Sequence, residues 1–388
     1  MKSIALVTSH APSLVAFRGV LITDLVTKGI QVWALAPNYD QETREAVIQL
    51  GAEPVDCSIS RTGMNPVRDA LDTMRLIFLL RRLKPDVVLN YFVKPVVFGS
   101  LAAFIARVPY RVAMIEGLGF VFTETGRPLS YQRKLLKAVV LRLYKIGLRC
   151  AHKVIFLNPD DRAELVGAGV VPHSKTWLLG GIGVDLQRWR PLPHVIAPVT
   201  FLLVARLLRE KGIEQFAAAA RQIKLQHPQV RFILLGGLDD NPGALSERDV
   251  QAWVDEGVLE WHGHTAVAPV MAQASVFVLP SWREGMPVST QEAMASARAV
   301  ITTDVPGCRQ TVVDGLNGFV VPPPCYDLRG NYQCNSMALA AAMLRFVEQP
   351  ELIEPMGMAS LEMARKHYDV REANKRLMAV LFDKDVKQ

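Results

Sequence analysis

The sequence predicts an α/β protein built as two doubly wound units, each a parallel sheet with helices on both faces. Three observations predict it. At 388 residues the chain is longer than one hydrophobic core ordinarily serves, so two domains are expected. Short apolar runs rich in β-branched residues alternate with helical patterns through the first half, and the alternation restarts at residue 199. That alternation implies βαβ units joined by right-handed crossovers. Between the two series lies GGIGVDLQRWRPLPHVIAP, residues 180–198, whose glycines and prolines read as a linker.

In the first half, strands are expected at Ser3–Thr8, Ile30–Leu35, Val87–Tyr91, Tyr110–Ile115 and Lys153–Leu157. Helical patterns fall at Phe17–Lys28, Glu42–Leu50, Arg68–Leu83, Gly99–Ala106, Ser130–Arg149 and Pro159–Ala168. In the second half, strands are expected at Val199–Ala205, Val230–Leu235, Val258–His262, Ser275–Pro280 and Ala299–Thr303. Helices are expected at Gly212–His227, Ser246–Glu256, Val267–Gln273 and Ser289–Ala297, and residues 336–382 are helical in pattern. PPPCYDLRGNYQCNS, residues 322–336, reads as a surface loop. Strand runs of four to eight residues bounded by turn residues support each assignment.

Composition narrows the class. Half the residues are apolar and 21% are charged, as in a globular protein. Five cysteines are scattered without a C-x-x-C pair, which points away from a disulfide framework or zinc site and toward a reducing compartment. MKSIALVTSHAPS reads as a first buried strand, not a signal peptide. No stretch of about 18 apolar residues escapes interruption by charge, so no spanning helix is expected. The net charge of +7 is uneven: residues 1–190 hold 25 basic and 15 acidic side chains, and the remainder 19 and 22. All of the basic excess lies in the first half, which suggests an anionic surface as partner.

Two stretches of the second half could carry chemistry. In FLLVARLLREKGIEQF, Arg206 follows a strand and Lys211 precedes a helix. Two cations at a strand's carboxyl end, beside free helix N–H groups, suit an anion, and a diphosphate better than a single carboxylate. Two solvated loop charges would look the same. In REGMPVSTQEAMA, Glu284 stands in the turn after a strand and Glu292 in the helix that follows. Ligands of open α/β sheets bind at such carboxyl ends. Gly285, Met286, Pro287 and Val288 can present backbone N–H groups to a phosphate or a sugar hydroxyl, and a carboxylate can hold a vicinal diol. STQE also matches a capping box, which would confine Glu292 to its own helix end.

ARLLREKG, an E-x7-E pair about eighty residues later, and TTDVPGCRQTVVDGLNGFVVPP together resemble the family-4 glycosyltransferases of the GT-B fold. AFRGVLITDL, YRVAMIEGLGFVF and LLGGLDDNPG carry a narrower similarity to bacterial N-acetylgalactosaminyltransferases that extend lipid-linked oligosaccharides. The resemblance implies a first domain over residues 1–185 facing acceptor and membrane, and a nucleotide-sugar domain over 186–367. A final helix, 368–388, returns to the first domain. It implies retaining transfer of a hexose or N-acetylhexosamine from a UDP-sugar to a polyprenyl-diphosphate-linked saccharide, with no metal and no other cofactor. A soluble acceptor, or a UDP-sugar epimerase on a related fold, remain as alternatives; no nucleic-acid partner is implied. An oxidoreductase is disfavoured because no G-x-G-x-x-G follows the first strand.

Carried over residue by residue, the resemblance puts Arg206 and Lys211 on the donor diphosphate and Glu284, with Gly285 to Val288, on the donor sugar. Glu292 would hold the ribose, and Gly236, Gly237, His264 and Thr265 would border the base. Many members carry a histidine where this chain reads IEGLG, so Glu116 takes that place as a candidate to orient the acceptor hydroxyl or accept its proton. An ion pair with a nearby arginine is the alternative for Glu116. Gly19, beside Arg18, would add donor contacts from the first domain. His262 with His264, and Asp239 with Asp240, lack the further ligands or spacing of a metal site.

The helix expected over 130–149 interleaves Arg133, Lys134, Lys137, Arg142, Lys145 and Arg149 with apolar residues and holds no acid. It suits an anionic leaflet; the alternative is an ordinary surface helix with its apolar side inward. Arg18, Lys94, Arg133, Lys134, Lys137 and Arg142 are the candidates for acceptor and membrane contact. Together these features imply a peripheral protein on the inner face of the cytoplasmic membrane.

Overall fold

The computed structural model describes residues 2–60, 63, 65–123, 131–239, 241, 243–323 and 333–383. The chain divides into two compact units. The first comprises Met1–Leu118, Ser130–Ile182 and Val370–Gln388, the second Gly119–Leu129 and Gly183–Asp369.

The first unit runs β1 (Ser3–Val7), α1 (Pro12–Ala16), α2 (Gly19–Thr27), β2 (Gln31–Ala36), α3 (Gln41–Gln49), β3 (Glu53–Asp56), α4 (Pro66–Leu83), β4 (Val87–Tyr91), α5 (Ser100–Ile105), β5 (Tyr110–Ile115), α6 (Tyr131–Cys150), β6 (Lys153–Phe156), α7 (Pro159–Gly167) and β7 (Thr176–Leu178). The sheet order is β3-β2-β1-β4-β5-β6-β7 and every pair is parallel. β1 and β4 are wholly buried, as expected of strands covered on both faces. Asn65 caps α4 by accepting from the N–H groups of Val67 and Arg68, with Pro66 at the first helical position. Leu76, Ile77 and Leu80 of α4 pack with Ala102 and Ala103 of α5 against β1, β2 and β4.

The second unit runs β8 (Thr200–Val204), α8 (Ile213–Lys224), β9 (Arg231–Leu235), α9 (Glu247–Asp255), β10 (Glu260–Trp261), α10 (Val267–Met271), β11 (Val276–Leu279), α11 (Val288–Ala295), β12 (Ala299–Thr303), β13 (Gly318–Val321), α12 (Gln333–Glu348) and α13 (Ile353–His367). Its parallel sheet is ordered β10-β9-β8-β11-β12-β13. The last helix, α14 (Val370–Phe382), belongs to the first unit, where Asn374 Nδ2 donates to Asp24 Oδ2 at 3.0 Å. In each sheet the strand order reverses direction once, between β1 and β4 and between β8 and β11. Those reversal points open a crevice at the strands' carboxyl ends.

The linker is pinned to the second unit. Val184 N–H donates to the Tyr368 carbonyl at 2.8 Å, and the buried Arg298 donates from Nη1 to the Pro193 carbonyl at 2.8 Å and from Nε to Met271 at 3.2 Å. Backbone carbonyls replace water at two nitrogens of this buried guanidinium, while Nη2 has no hydrogen-bond partner among the described residues.

Three strands escaped the sequence reading. β3, β7 and β13 have four, three and four residues, too short for alternation to register. The helix expected from Gly99 begins earlier, as a π-helical turn over Pro95–Gly99. Residues 324–332 of the expected surface loop, and Asp240 of the acidic pair, lie outside the described residues.

Candidate active site

The reversal point of the second sheet assembles the residues that the two motifs supplied. After β8 the chain makes a 3-10 turn over Arg209–Lys211 and enters α8 through Gly212, whose φ is +74°. A β-carbon at Gly212 would lie 2.1 Å from the Pro280 carbonyl oxygen. Glycine therefore lets this turn press against the end of β11. The contact brings Lys211 Nζ to 2.5 Å from Glu284 Oε1, across 73 residues of sequence. Ser281 Oγ donates to the same oxygen at 2.7 Å.

Glu284 is held from behind as well. Its N–H donates to the Pro306 carbonyl at 3.0 Å. A β-carbon on the following residue, Gly307 at φ +80°, would sit 2.4 Å from the Glu284 carbonyl oxygen. Lys211 and Glu284 are 17% and 13% exposed, so each charge is partly desolvated and depends on the other. Burial raises the carboxyl pKa of neighbouring Glu210, with Lys211 opposing the rise. Arg206 Nη1 donates to Asp239 Oδ2 at 2.7 Å and is half exposed.

The turn after Glu284 leaves donors open. α11 starts behind Pro287 with no side-chain cap, so STQE does not form a capping box. The first backbone bond into the helix is Gln291 N–H to the Pro287 carbonyl at 3.3 Å. The N–H groups of Val288 and Ser289 consequently have no partner among the described residues. Met286 is buried and anchors the turn. Glu292 lies one turn further on. Burial pushes its carboxyl pKa up to about 7, and Arg188 opposes that shift. Its carboxylate has no hydrogen-bond partner among the described residues.

On the other side of β8, Gly236 N–H donates to the Gly263 carbonyl at 2.8 Å, and Gly237 accepts from Leu207 N–H at 3.1 Å. Gly237 faces His264, and both His264 and Thr265 are exposed. The loops after β8, β9, β10 and β11 thus carry all the second-unit candidates except Val288 and Glu292, which stand on α11.

In the first unit the loops after β1, β4 and β5 hold a separate polar cluster. Arg18, 2% exposed, sits at the start of α2 and its Nη2 contacts Glu116 Oε1. The same nitrogen lies 3.1 Å from Met114 Sδ, and the guanidinium stacks 4.9 Å over the Tyr91 ring. Burial raises the Glu116 pKa while Arg18 lowers it, and burial pushes the Tyr91 hydroxyl up to about 12. Glu116 thus has the arginine partner that the sequence allowed. A side chain at Gly19 would meet only Leu50 at ordinary contact distance, so packing does not demand glycine there.

Several expected surface cations are engaged. Arg18 is buried, and Lys94, 12% exposed, donates to Asp69 Oδ1 at 2.7 Å and Ser60 Oγ at 2.9 Å. Lys137 pairs with Glu164 at 2.6 Å and Arg133 is half-buried. Lys134 and Arg142 are exposed on α6. Gly212 and Gly307 were not singled out in the sequence; the one signal for them was their place directly after Lys211 and in DVPG. Among the described residues no group of three or more His, Cys, Asp or Glu could hold a metal ion.

Two Rossmann-like units, each with a crevice at the point where its strand order reverses, set the fold class. Residues 198–349 match the model of glycosyl transferases group 1, and residues 20–188 match that of glycosyltransferase family 4. The chain belongs to the GT-B glycosyltransferases. It is 29% identical over 329 residues to the N,N'-diacetylbacillosaminyl-diphospho-undecaprenol alpha-1,3-N-acetylgalactosaminyltransferase of Campylobacter jejuni, covering 80% of this chain and 83% of that protein. It is 26% identical over 270 residues to the UDP-Gal:alpha-D-GlcNAc-diphosphoundecaprenol alpha-1,3-galactosyltransferase of Escherichia coli, covering 66% and 67%. The fold is shared with sucrose-phosphate synthase from Thermosynechococcus elongatus (TM-score 0.77, 20% identity, 98% of both chains). It is also shared with Anabaena HepE in complex with UDP-glucose (TM-score 0.75, 18% identity, 98% and 99%).

Proposed function

We propose that the protein is a retaining glycosyltransferase that moves a hexose or N-acetylhexosamine from a UDP-sugar to a saccharide carried on a polyprenyl diphosphate. The observation that carries this reading is the Lys211–Glu284 contact at the reversal point of the second sheet. Both relatives named above act, by their names, on diphospho-undecaprenol-linked sugars, which supports the acceptor class.

In this reading Lys211 exchanges part of its hold on Glu284, and Arg206 part of its hold on Asp239, for the donor diphosphate. The bond between the anomeric carbon and the β-phosphate oxygen breaks, and the two cations meet the charge that collects on the leaving UDP. Interactions that strengthen as the charge develops lower the barrier itself. Glu284 accepts hydrogen bonds from the donor-sugar hydroxyls, and the open N–H groups behind Pro287 bind the same sugar or its phosphate. Glu292 accepts from the ribose diol. Gly236, Gly237, His264 and Thr265 border the base. The acceptor oxygen attacks the anomeric carbon from the face the diphosphate leaves, and its proton passes to the departing phosphate oxygen. Glu116, oriented by Arg18, lines the acceptor side, and Gly19 adds a contact to the donor phosphate.

The membrane part of the reading rests on α6. Its exposed side carries Tyr131, Leu135, Val139 and Ile146 together with Lys134, Arg142, Lys145 and Arg149. Basic residues near an anionic leaflet contribute about 1 kcal/mol each. No helix among the described residues is long and apolar enough to cross a membrane, and the reading places the protein peripherally on the inner face of the cytoplasmic membrane.

The test is transfer from radiolabelled UDP-sugars to undecaprenyl-diphosphate-linked acceptors, followed by extraction. Label entering the organic phase supports the proposal. Donor turnover without acceptor, or product only in the aqueous phase, refutes it.

A further inference from the structure

The first unit has a feature that the transfer chemistry does not use. α4 exposes Val67, Leu71, Met74 and Phe78, at 68%, 46%, 48% and 68%. Spacings of four, three and four residues align them in one stripe. Arg68, Arg75, Arg81 and Arg82 flank it and are exposed. α5 packs beside α4 and adds exposed Phe104 and Ile105. Where the two helices end there is a cavity of about 520 Å3, with Leu80 and Pro85 in its wall. Arg81, Lys84 and Arg107 line it, and no acidic residue does among the described residues.

Lys84 and Arg107 share an unusual backbone. Their φ angles are +50° and +60°, left-handed positions that close helices and ordinarily fall to glycine. Among the described residues neither side chain makes a hydrogen bond or an ion pair. Helix carbonyls do attract cations at this end, and Arg81 Nη2 donates to the Ile105 carbonyl at 3.3 Å. That attraction leaves unexplained why two strained positions place cations around an open cavity that continues an exposed apolar stripe.

We propose that this edge binds an anionic phospholipid. The headgroup phosphate occupies the Arg81–Lys84–Arg107 cavity, and Phe78, Phe104 and the α4 stripe enter the acyl layer. Guanidinium and ammonium groups supply the charge-assisted donors that a phosphate takes. A second copy of the chain fits poorly, because a two-fold contact through α4 sets its arginine rows against themselves. α4 has 18 residues and spans about 27 Å at 1.5 Å per residue. It leads back from β3 to the start of β4, so its first turn lies at the carboxyl edge of the sheet, the edge that carries Arg18 and Glu116. A bilayer against α4 therefore reaches the acceptor side. This inference rests on the membrane reading above and adds a surface and a lipid class to it.

The experiment is sedimentation of the full chain with vesicles of phosphatidylglycerol in phosphatidylcholine, and of phosphatidylcholine alone. Wild type is expected to bind the anionic vesicles at least tenfold more tightly. Lys84→Gly/Arg107→Gly removes both charges while keeping backbone that glycine accepts, and should lose about tenfold without lowering the thermal midpoint. Met74→Ser/Phe78→Ser should lose a similar factor on both vesicle types. Millimolar inorganic phosphate should not displace the protein. If both double variants bind as wild type while Lys134→Gln/Arg142→Gln on α6 loses binding, this inference falls and the membrane reading stands. If wild type does not distinguish the vesicles, both fall. Displacement by phosphate, or a solution dimer split by Met74→Ser/Phe78→Ser, also overturns it.

Discussion

Lys211 and Glu284 are 73 residues apart in sequence and 2.5 Å apart in space. Two loops that leave neighbouring strands, β8 and β11, close on each other at the point where the sheet order reverses. Ser281 Oγ donates to the same Glu284 oxygen at 2.7 Å, so a neutral hydroxyl steadies the carboxylate beside the cation.

Lys211→Ala and Glu284→Ala are expected to lower turnover by about 10²-fold or more, because each removes a group that acts on the breaking bond or the sugar. Steady-state UDP release with saturating donor measures it. Near-wild-type rates for both variants would reject the assignment.

Gly212→Ala and Gly307→Ala are expected to damage the same site from outside it. Each adds a β-carbon within 2.4 Å of a carbonyl oxygen, on backbone at φ +74° or +80°. Left-handed strain and the forced loop shift together should cost about 2 kcal/mol or more. Urea unfolding reads the stability loss, and the thermal shift produced by UDP should shrink in parallel.

Glu292, if it holds the donor ribose as proposed, is expected to give donor binding a pH dependence. Burial lifts its pKa from 4.5 to about 7, so the folded state takes up a proton that the unfolded state has already released between those values. Stability from this group is therefore present below about pH 4.5 and declines as pH rises through about 7. Donor binding should run the other way, since the ribose diol needs the carboxylate as acceptor. KM for the UDP-sugar should rise below pH 7. Glu292→Gln should flatten that profile and gain roughly 1–3 kcal/mol of stability at pH 8. An unchanged KM profile in the variant would exclude the role.

Lys134→Gln/Arg142→Gln should weaken binding to anionic vesicles and reduce its salt sensitivity. Vesicle flotation at low and high salt checks both effects. Equal wild-type binding to neutral and anionic vesicles would count against a membrane role for α6.

The main strands and their order of appearance were legible in the sequence, because buried parallel strands such as Val276–Leu279 are apolar runs, and even Val87–Tyr91 is broken only by Asn90. Lys211 and Glu284 were legible because each follows such a strand. An arginine partner for Glu116 was foreseen, but not that it is Arg18, since that contact depends on β1, β4 and β5 being neighbours. The grip of Gly212 and Gly307 depends on φ angles that the residue name only permits. STQE spells a capping box with Ser289 as N-cap, yet α11 starts two residues earlier, with Pro287 in that place. In α4 two apolar stripes compete: Leu76, Ile77 and Leu80 are buried, and Leu71, Met74 and Phe78 are not. Periodicity reports a stripe without saying which one the core takes.

The most direct measurement is a crystal structure of the protein with UDP. The predicted result is a β-phosphate within hydrogen-bond distance of Lys211 Nζ, with Arg206 on the same diphosphate and the ribose against Glu292. UDP bound away from the loops after β8 and β11, with the Lys211–Glu284 contact untouched, would contradict the account.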